Sequence, residues 1–242
     1  MKLVRLLINS VLKHPFAALK LISLRPSEVS LKRFLSVFVT ASIAAPKNSF
    51  YSKDIVRLCQ LTLIPFIIDS KLDESNYFRF GVDLAIEKLQ KDLEVRINDL
   101  KLSQEETQVV NKEIRNLIAH DFLANESDTI SSYLMHSTYT IGLIFVTRSL
   151  TSVHQDEYDL GFLIECSKLI RYLSDRATIE KDKSEKRNNL SNYINKQEIN
   201  HRIYTSSKKI EQYKITSVTE QFLYNIAKLS LIFYKNKDFE YV

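Results

Sequence analysis

The sequence predicts an all-α protein built as one helical bundle over residues 1–242, and three observations carry that expectation. Apolar residues recur at helical spacing in nearly every segment, as in Val82, Ala85, Leu89 and Leu93, and again in Leu163, Cys166, Ile170, Leu173 and Ala177. Alternating strand patterns are scarce, and 3 glycines with 4 prolines supply too little turn chemistry for a sandwich, a barrel or a Gly-rich phosphate loop. Hydrophobic residues at 45% against charged residues at 26% give enough apolar material for a sizeable core and exclude wholesale disorder. No repeat and no Gly/Ser linker divides the chain. The net charge of +5 is mild and its acids and bases are interspersed, so charge gives no reason to expect nucleic acid as a partner.

Taken in order, the helices are expected near 2–23, 28–44, 50–73, 81–100, 103–123, 126–148, 156–182, 188–212 and 216–236, with breaks at Pro26, Pro46, Ser75, Ser103, Ser127 and residues 152–155. The first is amphipathic, setting Leu3, Val4, Leu7, Val11, Phe16, Leu19 and Ile22 against Lys2, Arg5, Lys13 and Lys20. Two roles suit it: first helix of the bundle, or a peripheral contact with a membrane surface. None of its apolar runs reaches signal-peptide length. The segment 126–148 contains the longest stretch without a formal charge, Thr129 to Thr147. Ser131, Ser132, His136, Ser137, Thr138 and Thr140 would be costly in lipid, so it reads as a helix buried within protein. Cys59 and Cys166 sit in apolar helical patterns with no Cys or His at metal spacing, which reads as reduced, buried thiols in a cytoplasmic protein. Residues 181–214 form a Lys/Asn-rich stretch, a solvated face or a lid.

Two clusters place charge where the pattern calls for apolar residues, which is costly unless something is bound. In the segment 49–75, helical stepping puts Ile55, Leu58, Pro65 and Phe66 on one face, which Asp69 and Asp73 continue at its C-terminal end. Two carboxylates one turn apart repel each other and face the negative end of the helix dipole, so a hard divalent cation such as Mg²⁺ would relieve both problems. In the segment 163–194, Ser174, Thr178 and Asp182 form an oxygen-bearing stripe beside Leu163, Ile170 and Ala177, and Arg171 and Lys181 share it. Carboxylate, hydroxyls and cations together suit a diphosphate bridged by Mg²⁺.

These residues carry a resemblance. The run Asp69-Ser-Lys-Leu-Asp73-Glu74 resembles the aspartate-rich D-D-x-x-D motif of class I terpene synthases. Ser174-Asp175-Arg-Ala-Thr178-Ile-Glu-Lys-Asp182 is similar to their second metal motif, N-D-x-x-S/T-x-x-x-E, and Glu185-Lys-Arg-Asn-Asn189-Leu190 looks like the tail that follows it in bacterial members. The resemblance spans roughly residues 50–195. Ser70 replaces the second aspartate of the first motif, and Ser174 stands where Asn or Asp is usual. There is no arginine in the uncharged stretch before Gly142, where bacterial members keep a diphosphate-sensing one.

The resemblance implies helices surrounding a deep apolar cavity, open where the two motifs face each other, and a Mg²⁺-dependent lyase acting on a C20 or C15 prenyl diphosphate. Asp69 and Asp73 would hold two ions from one wall, while Ser174, Thr178 and Asp182 hold a third from the other. Arg171 and Lys181 would cap the leaving diphosphate, with Arg79 as a further candidate. Phe66, Tyr133, Tyr139, Phe145 and Tyr224 are the aromatic candidates for guiding the carbocation. The rival readings are a prenyltransferase of the same fold and a non-catalytic helical interaction protein, and a homodimer is compatible with any of the three.

Overall fold

The structure, a computed structural model, describes residues 2–23, 29–46, 52–74, 81–154 and 157–235. Among these residues it is all-helical: α1 (Lys2–Lys13), α2 (Pro15–Ser23), α3 (Leu31–Ala44), α4 (Ser52–Glu74), α5 (Val82–Asp99), α6 (Gln104–Asn125), α7 (Ile130–Thr140), α8 (Leu143–His154), α9 (Leu160–Glu185), a 3-10 turn at Leu190–Asn192, α10 (Lys196–Gln212) and α11 (Val218–Lys235).

Side chains at the helix starts take up backbone N–H groups that have no partner within the helix. Ser103 opens α6 with a capping box: its hydroxyl accepts from Glu106 N at 3.2 Å, and Glu106 Oε2 accepts from Ser103 N at 2.6 Å. Thr129 caps α7, Asp159 caps α9 and Asn195 caps α10 in the same one-sided way. The end of α9 matters most for the site. Lys186 takes a left-handed φ of 56°, and Arg187 N donates back to Asp182 O at 2.8 Å, which turns the chain against the helix it has just left.

The expected first and sixth helices are each broken once. At the first break Pro15 has no N–H to give, but His14 N still donates to Ser10 O and Ala18 N to His14 O, both at 3.0 Å, so helical hydrogen bonding carries on from α1 into α2. At the second, Gly142 takes φ 77° between α7 and α8. A methyl group there would come within 2.8 Å of Pro65 Cβ and Cγ on α4, so only glycine allows the two backbones to approach this closely. The helix expected from 188 begins instead with the 3-10 turn, and α10 follows from Lys196.

α6 packs against α5, α7 and α8, while α9 packs against α7, α10 and α11. One continuous apolar cluster joins them, with Leu61, Ile64 and Leu72 of α4, Leu89 and Leu93 of α5, Ile114 and Ile118 of α6 and Leu163 and Cys166 of α9 almost wholly buried. Both cysteines are buried, and burial raises both thiol pKa values well above the usual range, which favours the inert thiol. No described helix is long and apolar enough to cross a membrane.

Candidate functional site

A cleft of about 90 Å³ opens where α4, α6, α7 and α9 meet the turn after α9. Pro65, Ile68, Leu72, Leu117 and Ala124 form its apolar wall. Asp69, Asp121, Asp182, Arg171 and Arg187 bring three carboxylates and two guanidinium groups into it. The close Pro65–Gly142 approach holds the junction of α7 and α8 against α4, and the end of α7 contributes Ser137 and Thr140 to the lining.

Arg171 is held rigidly, with a side chain only 15% exposed. Its Nε donates to Ser137 O at 3.0 Å, Nη1 to Asp175 Oδ1 at 3.1 Å and Nη2 to the Thr140 hydroxyl. Burial is the largest influence and disfavours its charge, but Asp175 together with Tyr133 and Asp121 outweighs it, and the guanidinium pKa is raised further. Asp175 itself is 1% exposed and also accepts from Tyr133 Oη at 2.7 Å and Leu190 N at 3.3 Å. It ties α7, α9 and the 3-10 turn together. Burial raises its carboxyl pKa, and Arg171 is the main opposing influence.

Asp182 presents its carboxylate to the cleft under two donors, Thr178 Oγ1 and Asn189 Nδ2, each 2.6 Å from Oδ2. Asn189 is fully buried and also donates to Asp175 O at 3.0 Å, so one amide clamps the turn to α9. Across the cleft, Asp69 meets Arg187 Nη1 at 3.4 Å. Asn188 seals the rim, donating from Nδ2 to Ala124 O and Ser127 O, each at 3.0 Å. The left-handed turn at Lys186 is what swings Arg187, Asn188 and Asn189 back over the site.

Asp121 is the third carboxylate. It is half-buried, and its carboxylate makes no hydrogen bond to a described residue. Burial, reinforced by the Asp69 charge and opposed by Arg171, pushes its pKa up to about 7. The structure places Asp121 inside α6, facing the cleft, while His120 bonds His136 at 2.9 Å and stacks on Tyr139. A usable signal was present: Asp121 follows Ile114 and Leu117 on the buried stripe of α6, a charge out of pattern like Asp69. Arg187 and Asn188 carried no such mark, because a left-handed helix end directs them.

The other candidate residues are dispersed. Ser174 and Thr178 do not line the cleft; the Thr178 hydroxyl donates to Asp182 and lies 3.0 Å from Ser174 O, and Ser174 lies by the Tyr234 phenol of α11. Lys181 is exposed and pairs with Glu185 at 3.7 Å. The Asp73 side chain and all of Arg79 lie outside the described residues. Tyr133 lines the cleft, Phe145 is core, Phe66 lies under Arg33 and Tyr224 under Lys228.

Among the described residues no three His, Cys, Asp or Glu side chains converge to hold a metal ion on their own. The hard oxygens of Asp69, Asp121 and Asp182, beside two guanidinium groups, fit instead a Mg²⁺ ion that arrives with a phosphate group, since such ions keep several waters and take only one or two protein carboxylates. The sequence matches no protein-family model and no curated protein.

Proposed function

We propose that this cleft receives the diphosphate of an allylic prenyl diphosphate, C20 or C15, together with Mg²⁺, and that the protein is a lyase of the class I terpene synthase type. One observation carries the reading: Asp69 and Asp182, from two motifs far apart in the chain, line one cleft together with Arg171 and Arg187. Bound Mg²⁺ would supply charge neutralisation to the leaving diphosphate. Asp69 and Asp182 would hold it, with Asp121 near enough to add charge.

Arg171 would act as a pre-set cation. Its three bonds fix the guanidinium before any ligand arrives, so it pays no reorganisation when negative charge builds on the leaving oxygen. Arg187 would exchange its Asp69 contact for the diphosphate, freeing that carboxylate for the metal. The hydrocarbon chain would follow Pro65, Ile68, Leu72 and Leu117 inward. About 90 Å³ is well below the roughly 300–1,000 Å³ of a typical ligand site, so the deep apolar chamber of this reading requires an opening of the wall between α4 and α6.

A second reading is favoured by the same small volume and by the bonds already made to Asp69 and Asp182: a helical interaction protein whose polar cluster locks α4 to α9. One assay separates them. The C15 and C20 diphosphates are expected to release diphosphate and give hydrocarbon products with Mg²⁺ and none with chelator. Asp69→Ala and Asp182→Ala should each remove that release while the far-ultraviolet circular dichroism is unchanged. Silence with both substrates, together with no Mg²⁺-dependent binding of inorganic diphosphate, would establish the second reading.

A further inference from the structure

The consecutive helices α1 and α2 carry large apolar residues on the side turned away from the bundle. Residues near 200° on their projection, Ser10, His14, Ala17, Ala18 and Leu21, are buried at 1–8% exposure, and they are mostly small or polar. Leu21 and Leu7 pack inward, but four large apolar residues lie on the opposite side: Ile8 is 53% exposed, Leu12 74%, Phe16 77% and Leu19 69%, with Val11 at the edge at 38%. Because helical hydrogen bonding carries on past Pro15, these side chains recur on one helical face rather than as scattered exposed residues. A soluble helix sets its large apolar residues inward.

The geometry points to an anionic lipid surface as the occupant of this stripe, with α1–α2 lying flat in the interface. Charge complementarity selects that partner over a neutral one. The first 27 residues hold Lys2, Arg5, Lys13, Lys20 and Arg25 and no Asp or Glu, although acids and bases alternate through the rest of the chain. Lys20 is exposed beside the stripe, and Lys13, also exposed, reaches back to donate to Ser42 O at 2.9 Å, which anchors the helix to α3 and holds the stripe outward. Interfacial helices combine a large apolar face with flanking cations in this way. The inference is independent of the diphosphate reading, because none of these residues lines the cleft.

Co-sedimentation of the full chain with vesicles tests it. Binding is expected to equimolar phosphatidylcholine and phosphatidylglycerol vesicles, and to be at least about tenfold weaker to phosphatidylcholine alone and at raised salt. The double variant Leu12→Asp/Phe16→Asp should lose at least about tenfold in binding to the anionic vesicles with its melting temperature unchanged, since both side chains are exposed. Lys20→Glu should weaken the same binding severalfold. Sedimentation of the double variant equal to that of the parent, or no sedimentation of the parent with either vesicle, would overturn the proposal. A solution dimer that the double variant dissociates would overturn it too, assigning the stripe to a second copy of the chain.

Discussion

A carboxylate 1% exposed to solvent is tolerable only where its partners replace water, and Asp175 has three: the Arg171 guanidinium, the Tyr133 phenol and the Leu190 amide. The arrangement couples stability to the site, because Arg171 also lines the cleft. Removing one partner of such a pair strands the other charge in a dry environment, whereas removing both does not. Asp175→Ala is therefore expected to cost about 3–5 kcal/mol of unfolding free energy in urea. The double variant Asp175→Ala/Arg171→Met should cost clearly less than the two single changes added together. Strict additivity would show that the pair is not coupled. Asp182 differs in kind: it is only half-buried, with both its donors on one oxygen, which leaves the other edge of the carboxylate turned to the cleft.

At the level of helices, periodicity alone predicted where most elements lie, with ends within a few residues of those observed for 28–44, 50–73, 81–100 and 103–123. The joins it could not predict depend on a tertiary partner. In the run Tyr139-Thr-Ile-Gly142-Leu143 the left-handed turn at Gly142 ends α7, and Pro65 of α4 occupies the space that any side chain at 142 would need. The consequence is sharp. Gly142→Ala incurs the left-handed backbone penalty of about 1–2 kcal/mol and an overpacking cost of about 1–3 kcal/mol against the pyrrolidine ring. A loss of roughly 2–5 kcal/mol by chemical denaturation is expected. A neutral result would mean that α7 and α8 can join without the glycine turn. Pro65→Ala in the same background should recover part of the overpacking share but none of the backbone share, which separates the two causes.

Across the whole molecule, the two aspartates that define opposite sides of the cleft were readable as charges out of pattern, and folding brings Asp69 and Asp182 to one place. What closes the site was not readable, because Arg187, Asn188 and Asn189 owe their position to a helix end and Ser174 owes its own to α11. The assembled cleft has an energetic signature that neither motif has alone. Burial first and the neighbouring Asp69 charge second push the Asp121 pKa up to about 7, yet among the described residues no three such side chains converge as a ready-made metal cage. Mg²⁺ alone should therefore bind weakly, and inorganic diphosphate alone should be repelled by Asp69, Asp121 and Asp182. Together each cancels the other's penalty. At about 100 times the dissociation constant, a ligand specific for the folded state adds about 2.7 kcal/mol. For a chain of this size that corresponds to a rise in melting temperature of about 5–10 °C. The rise should require both components and should disappear in Asp69→Asn and in Asp182→Asn. Persistence of the full rise in either variant, or an equal rise with Mg²⁺ alone, would mean that the two carboxylates do not act jointly on a shared ion and anion.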